Sequence, residues 1–250
     1  MKARIDMLNN IKGAVLDKYA LSSYLEKLAS DQIPMDFSDK RTCPINIMKQ
    51  EFKYIEKTYN LLNEHAKLKI TIHPAGEWLL DNFYLIEETS KIIEKEMTVS
   101  KYRNLNGIAN GTYKGFNRAY VLATEIVAYT DGNIEEENLK LFLSSYQRKK
   151  SLTMEEIWNI PLFMQIAIIH NICKICEKIY SSQIQKYKVE SIVERLIEQK
   201  EKQTFKNNVK NLDSNKESMK YAFIEHMSYK LKRLRKKGIR IPKSTRRTSK

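Results

Sequence analysis

Glycine and proline are scarce in this chain, at 7 and 5 of 250 residues, against a combined average of roughly 12 %. Sheets joined by tight turns consume both residue types, so their shortage excludes a turn-rich β protein and points to long helices. Cysteine is scarcer still: three thiols make no even framework, which argues against a disulfide-stapled secreted scaffold and suits a reducing cytoplasm. A long uninterrupted apolar run is also missing. The most apolar stretch, PLFMQIAIIHNICKIC (161–176), contains Gln165, His170, Asn171 and Lys174. It falls short of the roughly 20 residues that a spanning helix needs, and reads as a buried helix. Lys2 and Arg4 imitate the start of an export signal, but Asp6, Lys12 and Asp17 break the apolar core that would have to follow.

Compact catalytic signatures are absent too. There is no HExxH, GxSxG, P-loop or GxGxxG. The stretch NLNGIANGTYKG (104–115) holds three of the glycines, but their spacing does not suit a phosphate cradle and no strand precedes them. It reads as a loop. Neither a cofactor nor a metal is expected.

What is present belongs to a folded helical protein. Apolar residues make up 42 % of the chain and tyrosines number 14, too many for a disordered segment. The net charge of +14 is concentrated at one end. KLKRLRKKGIRIPKSTRRTSK (230–250) carries 11 Lys and Arg and no acid, and the remainder holds 33 basic against 30 acidic residues. Lys230, Lys232, Arg233, Arg235, Lys236 and Lys237 form its densest patch, on the continuation of a helical stripe through Leu231 and Leu234. The tail offers phosphate or anionic-lipid contact without base-reading chemistry, or simply a solvated end.

Hydrophobic spacing predicts an all-α array of about eight helices with this basic extension. The helices fall at about 9–30, from Pro44 to about 62, from Pro74 to about 96, and at about 113–130. Others start at Asn133 with Glu136, form a short segment around Trp158 capped by Thr153 and Glu156, follow Pro161, and cover about 187–205 and 216–237. Asp131-Gly132 reads as a helix stop. The stretch NNVKNLDSN (207–215) reads as a polar joint. The helix at 113–130 carries two adjoining apolar stripes and is expected to pack against more than one neighbour. The domain reading is an amino-terminal helix and linker at 1–32, a helical module at 33–229, and the tail at 230–250.

Three groups of residues attract a chemical reading. In HPAGEWLLDNFYLIEE (73–88), Glu77, Asp81, Tyr84 and Glu88 share about 60° of helical arc, with Trp78, Leu79, Phe83, Leu85, Ile86 and Ile93 opposite. Paired carboxylates can serve glycosidic chemistry, yet acids four apart are also what an amphipathic helix puts in water. The second account is favoured, and Asn82, on the apolar side, is assigned an interhelical hydrogen bond. Cys173 and Cys176 form a CxxC inside an apolar helix, with His170 a turn away and only Cys43 elsewhere; buried core thiols are the favoured reading. His73 precedes Pro74 at a helix start, and His65 and His226 are placed on polar surfaces. Trp78 and Trp158 are read as core, with carbohydrate binding as the competing account.

Three blocks together resemble one family: HPAGEWLLDNFYLIEE, RAYVLATEIVAYTDGNI (118–134) and SYQRKKSLTMEEIWNIPLFMQIAIIHNI (145–172). In content, order and spacing they are similar to the amino-terminal region of bacterial cyclic β-1,2-glucan synthases, over about residues 33–240. The matching residues are Glu77, Trp78, Leu79, Asp81, Asn82, Ile86, Glu87 and Glu88 in the first block. In the second they are Arg118, Tyr120, Ala123, Glu125, Thr130, Asp131 and Gly132. In the third they are Tyr146, Gln147, Leu152, Thr153, Glu156, Trp158, Pro161 and Asn171. Asn117 and His170 depart, standing where members tend to have Pro and Glu.

The resemblance implies a large inner-membrane protein whose membrane-embedded glycosyltransferase extends a β-1,2-glucan from UDP-glucose, with a phosphorylase-like carboxy-terminal domain. None of those parts is visible in this chain. The expectation is therefore a helical module from a truncated or split gene, without glucosyl transfer of its own. It would lie in the cytoplasm at the inner face of the cell membrane, with the synthase's other domains as partners. Its contact candidates are Glu77, Trp78, Asp81, Asn82, Glu87, Glu88, Arg118, Tyr120, Glu125, Asp131, Glu156 and Trp158. The competing expectation is a stand-alone interaction protein that binds nucleic acid or anionic membrane through the tail.

Overall fold

A computed structural model describes residues 15–35 and 43–198, together with Tyr229 and Lys232. Seven helices and no strand occur among the described residues: α1 (Lys18–Asp31), α2 (Pro44–Lys67), α3 (Pro74–Glu96), α4 (Val99–Asn104), α5 (Arg118–Thr130), α6 (Glu136–Gln147) and α7 (Met154–Glu198). The fold is all-α, as expected. The chain divides into two compact units, Met1–Tyr59 with Trp78–Cys176, and Asn60–Glu77 with Glu177–Lys250.

Helix starts follow local chemistry. The Asp17 side chain accepts from the Tyr19 and Ala20 amides, so α1 begins at Lys18, while residues 9–14 of the expected helix lie outside the described residues. Pro44 and Pro74 open α2 and α3, where a missing N–H costs nothing. At α3 the preceding His73 helps: its Nδ1 accepts from the Ala75 amide at 3.2 Å. Gly76 is required here by close approach, because a Cβ would lie 2.8 Å from Ile72 Cγ2. Helix α5 starts one residue after Asn117, whose side chain accepts from the Tyr120 amide, and ends at Asp131 and Gly132, with φ of 52° and 75°. Helix α6 starts after Glu135, which makes no side-chain cap, so Asn133 is not its first turn.

Helix α7 departs furthest from expectation. It runs unbroken for 45 residues through Pro161, where sequence spacing suggested a short helix, a second after the proline, and a third from about 187. Pro161 gives up one hydrogen bond, to the Ile157 carbonyl. Ile160, Leu162, Phe163, Met164, Ile166 and Ala167 are all buried around it, and that packing holds the helical path. By length and composition α7 would also cross a membrane, yet more than half of its apolar window is buried within the protein. The expected helix at 216–237 lies outside the described residues apart from Tyr229 and Lys232, and the joint at 207–215 lies wholly outside them.

In the first unit α5 is buried on nearly every side, with ten of its 13 residues sheltered. This matches the two apolar stripes read from its sequence. Tyr102, Phe116, Tyr120 and Phe163 pack around it with ring centroids 5.7–6.5 Å apart, mostly edge to face. The glycine-bearing loop after α4 is fastened to the segment after α1. Asn110 Nδ2 donates to Asp31 O at 2.7 Å and its Oδ1 accepts from the Ile33 amide at 2.8 Å. The Met35 amide bonds Gly107 O, and the Ala109 amide bonds Ile33 O. In the second unit, Gln183 Nε2 donates to Thr71 O at 3.1 Å, and His65 stacks on Tyr187 at 5.4 Å.

Candidate functional site

Polar residues of the second and third sequence blocks link α1, α5, α6 and α7 to one another. Arg118, the first residue of α5, reaches the first turn of α7. Its Nε and Nη2 donate to Glu156 Oε1 and Oε2 at 2.8 and 2.7 Å, and Nη2 also donates to Ser151 O at 2.8 Å. Glu156 is fully buried. It completes the expected capping box, since the Glu156 amide donates to Thr153 Oγ1 at 3.2 Å while the Thr153 amide donates to Glu156 Oε2 at 2.8 Å. The hydrogen bonds to Glu156 hold the Arg118 guanidinium still further above its ordinary range.

Glu125 sits midway along α5, buried, with a tyrosine on each oxygen. Tyr24 of α1 donates to Oε2 at 2.6 Å, and Tyr113 of the glycine-bearing loop donates to Oε1. Burial, then Glu125 itself, pushes both phenols far above the usual tyrosine range. Tyr146 donates to Gln32 Oε1 at 2.5 Å, Arg148 donates to Glu26 at 2.6 Å, and Lys150 Nζ donates to Gln32 O. These bonds hold α6 and the segment after it against α1.

A third pair joins α2 to α7. Glu51 Oε1 meets His170 Nδ1, both side chains being almost wholly sheltered. His170 Nε2 is buried with no hydrogen-bond partner. Tyr120 lies close by; burial first, and then the Glu51 charge, raise its phenol.

The first block is arranged differently. Glu77, Asp81 and Glu88 lie exposed on α3, and Glu87 pairs with Lys91 one turn on at 2.8 Å. Asn82 does not bridge helices: its Nδ2 donates to Trp78 O at 2.8 Å within α3, because that position is only half-buried. Trp78 and Trp158, expected in the core, are 53 % and 73 % exposed. Both lie within the first two turns of apolar helices whose buried side is filled by other residues. His65, expected on a polar surface, is buried at the end of the Ile55, Thr58 and Leu62 stripe, and its Nδ1 has no hydrogen-bond partner.

Cys173 and Cys176 are buried thiols, as read from the sequence, and Cys43 is buried as well. Among the described residues, no three His, Cys, Asp or Glu side chains gather as a metal site. Of the basic patch, Lys232 is exposed, while Lys230, Arg233, Arg235, Lys236 and Lys237 lie outside the described residues, as does His226.

Sequence reasoning missed Tyr24, Tyr113 and Glu51. Tyr24 reaches Glu125 across 101 residues, and Glu51 reaches His170 across 119. No local pattern announces such pairs.

No model of a known protein family matches this sequence. Over 146 residues, 58 % of the chain, it is 26 % identical to cyclic beta-(1,2)-glucan synthase NdvB of Rhizobium meliloti (strain 1021). The match takes up 5 % of NdvB, so the chain spans a small part of that relative's length. The likeness seen in three blocks of sequence is therefore a distant relationship to one region of a glucan synthase.

Proposed function

We propose that the chain is a non-catalytic helical module, equivalent to the amino-terminal part of a cyclic β-1,2-glucan synthase, that positions the glucan-forming domains through its surface. The observation that carries this reading is the engagement of the buried motif acids. Both oxygens of Glu125 accept from tyrosines, and both oxygens of Glu156 accept from Arg118. A general acid or nucleophile needs an oxygen facing substrate, and these face tyrosine and arginine side chains of the fold. The exposed acids Glu77, Asp81 and Glu88, with Trp78 beside them, are then surface for a neighbouring domain. The module works in the cytoplasm, at the inner face of the membrane that carries the synthase.

Two measurements test this. The purified chain incubated with labelled UDP-glucose is expected to form no glucan, and robust incorporation would overturn the proposal. The chain is also expected to co-purify with a synthase from which the matching region has been deleted. Failure to associate would remove the positioning role.

A further inference from the structure

The outer face of α7 carries a pattern that the core does not use. Met154, Trp158, Pro161, Gln165, Ile168, Ile172 and Ile175 follow one another at alternating intervals of four and three, the spacing of a helix-to-helix seam. Trp158 is 73 % exposed, Met154 61 %, Ile175 51 % and Ile168 40 %. Pro161 and Gln165 are exposed as well, and Ile172 is half-buried. The side that packs inward is a separate set, including Ile160, Phe163, Ala167 and Cys173. At about 1.5 Å per residue the seam is roughly 32 Å long. No charged side chain lies on it.

We propose that this seam joins two copies of the chain, packed antiparallel about a two-fold axis at Gln165. A two-fold contact requires a patch that complements itself, and the seam reads alike from both ends. Counting outward from Gln165, Pro161 answers Ile168, Trp158 answers Ile172, and Met154 answers Ile175. The protruding Trp158 thus comes over Ile172, the most recessed member. Gln165 is the one polar residue of the seam, and an amide both donates and accepts, so its copy satisfies it. A purely apolar partner would leave that amide unbonded in a dry centre. Two copies of a chain with net charge +14 repel one another in general, and a charge-free seam is where that repulsion is least local. A standard stable interface buries ~800 Å² per partner, and exposed residues flanking the seam add to what its seven side chains offer. This contact does not depend on any role in glucan synthesis.

Sedimentation velocity of the full chain over a concentration series is expected to show a monomer–dimer equilibrium. The double variant Trp158→Glu, Ile168→Glu is expected to raise the dissociation constant about 100-fold or more, with the helicity of the chain unchanged because both side chains point outward. Under mild oxidation Gln165→Cys is expected to give a disulfide-linked dimer on a non-reducing gel, and Glu88→Cys, on another helix, is not. A monomer throughout the series overturns the proposal, as does a dimer indifferent to the double variant. A dimer that the double variant breaks but Gln165→Cys does not cross-link overturns the two-fold axis.

Discussion

Arg118 and Glu156, 38 residues apart, are joined by two parallel hydrogen bonds of 2.8 and 2.7 Å, with the carboxylate fully buried and the guanidinium side chain 15 % exposed. The pair locks the start of α5 to the start of α7. Removing one partner strands a buried charge, at a cost of about 3–5 kcal/mol. Arg118→Ala is expected to lose that much in urea denaturation, and Arg118→Met with Glu156→Met together less than either alone. Losses that simply add would show that the two side chains do not act as a pair.

Tyr24 and Tyr113 share one carboxylate, so their removals should interact. Each Tyr→Phe change is expected to cost about 1.5–3 kcal/mol, as for a hydrogen bond to a charged group, and the double change to depart from the sum. Both phenols are raised in the folded state, while the unfolded value is about 10. Their contribution is complete below that pH and is lost as pH rises beyond it. Ultraviolet titration is expected to show these two phenols ionising only on unfolding; early ionisation would place them in water.

His65 behaves in the opposite sense. Burial lowers its imidazole below the ordinary 6.5, so the unfolded chain binds its proton first as pH falls. The stabilisation is complete above 6.5 and is lost as pH drops through the folded-state value. Unfolding free energy measured from pH 7.5 down to 5 is expected to slope downward in wild type, and His65→Phe to flatten the curve. An unchanged slope would assign it to other groups.

Thiol labelling reports the core directly. Burial pushes the Cys176 thiol up to about 12 and raises Cys43 as well. Since the thiolate is the reacting species, iodoacetamide at neutral pH is expected to leave both unmodified in the native protein and to label both in urea. Rapid native labelling of Cys176 would contradict its burial.

The carboxy-terminal charge provides a clean separation of the two functional readings. Deleting residues 230–250 removes 11 positive charges. Binding to nucleic acid or anionic vesicles through the tail falls steeply with added salt and disappears on deletion. Association with a synthase through the helical body survives the same deletion.

The helical class and most helix starts were legible because they depend on neighbours in sequence. Pro44, Pro74, the Thr153–Glu156 box and the Asp131-Gly132 stop all act within one turn. His65 was legible in principle, since it continues the spacing of Ile55, Thr58 and Leu62, but a histidine near charged residues was assigned to water. Trp158 was misplaced because α7 is apolar on more than one face, and periodicity cannot say which apolar stripe turns inward. Pro161 misled for a related reason: a local helix breaker on the exposed face was outweighed by the burial of the residues that flank it.

The partners of Glu125 could not be read at all. Tyr24 and Tyr113 belong to other elements, and only the closed fold brings their hydroxyls to one carboxylate. Arg118, Glu125 and Glu156, three of the residues that stood out in sequence, thus mark where helices are fastened.

The stretch from Asn104 to Gly115 has the composition of a linker, yet its backbone is pinned. Gly107 and Ala109 bond the segment after α1, Asn110 reaches both Asp31 and Ile33, and Asn106 accepts from the Arg118 amide and from Asn117 Nδ2. A protease needs a slack stretch of chain in its cleft, and a grafted insertion needs two ends free to part. Neither condition is met here, so tryptic nicking at Lys114, insertion of a tag, and circular permutation through this loop are all disfavoured by the same few hydrogen bonds.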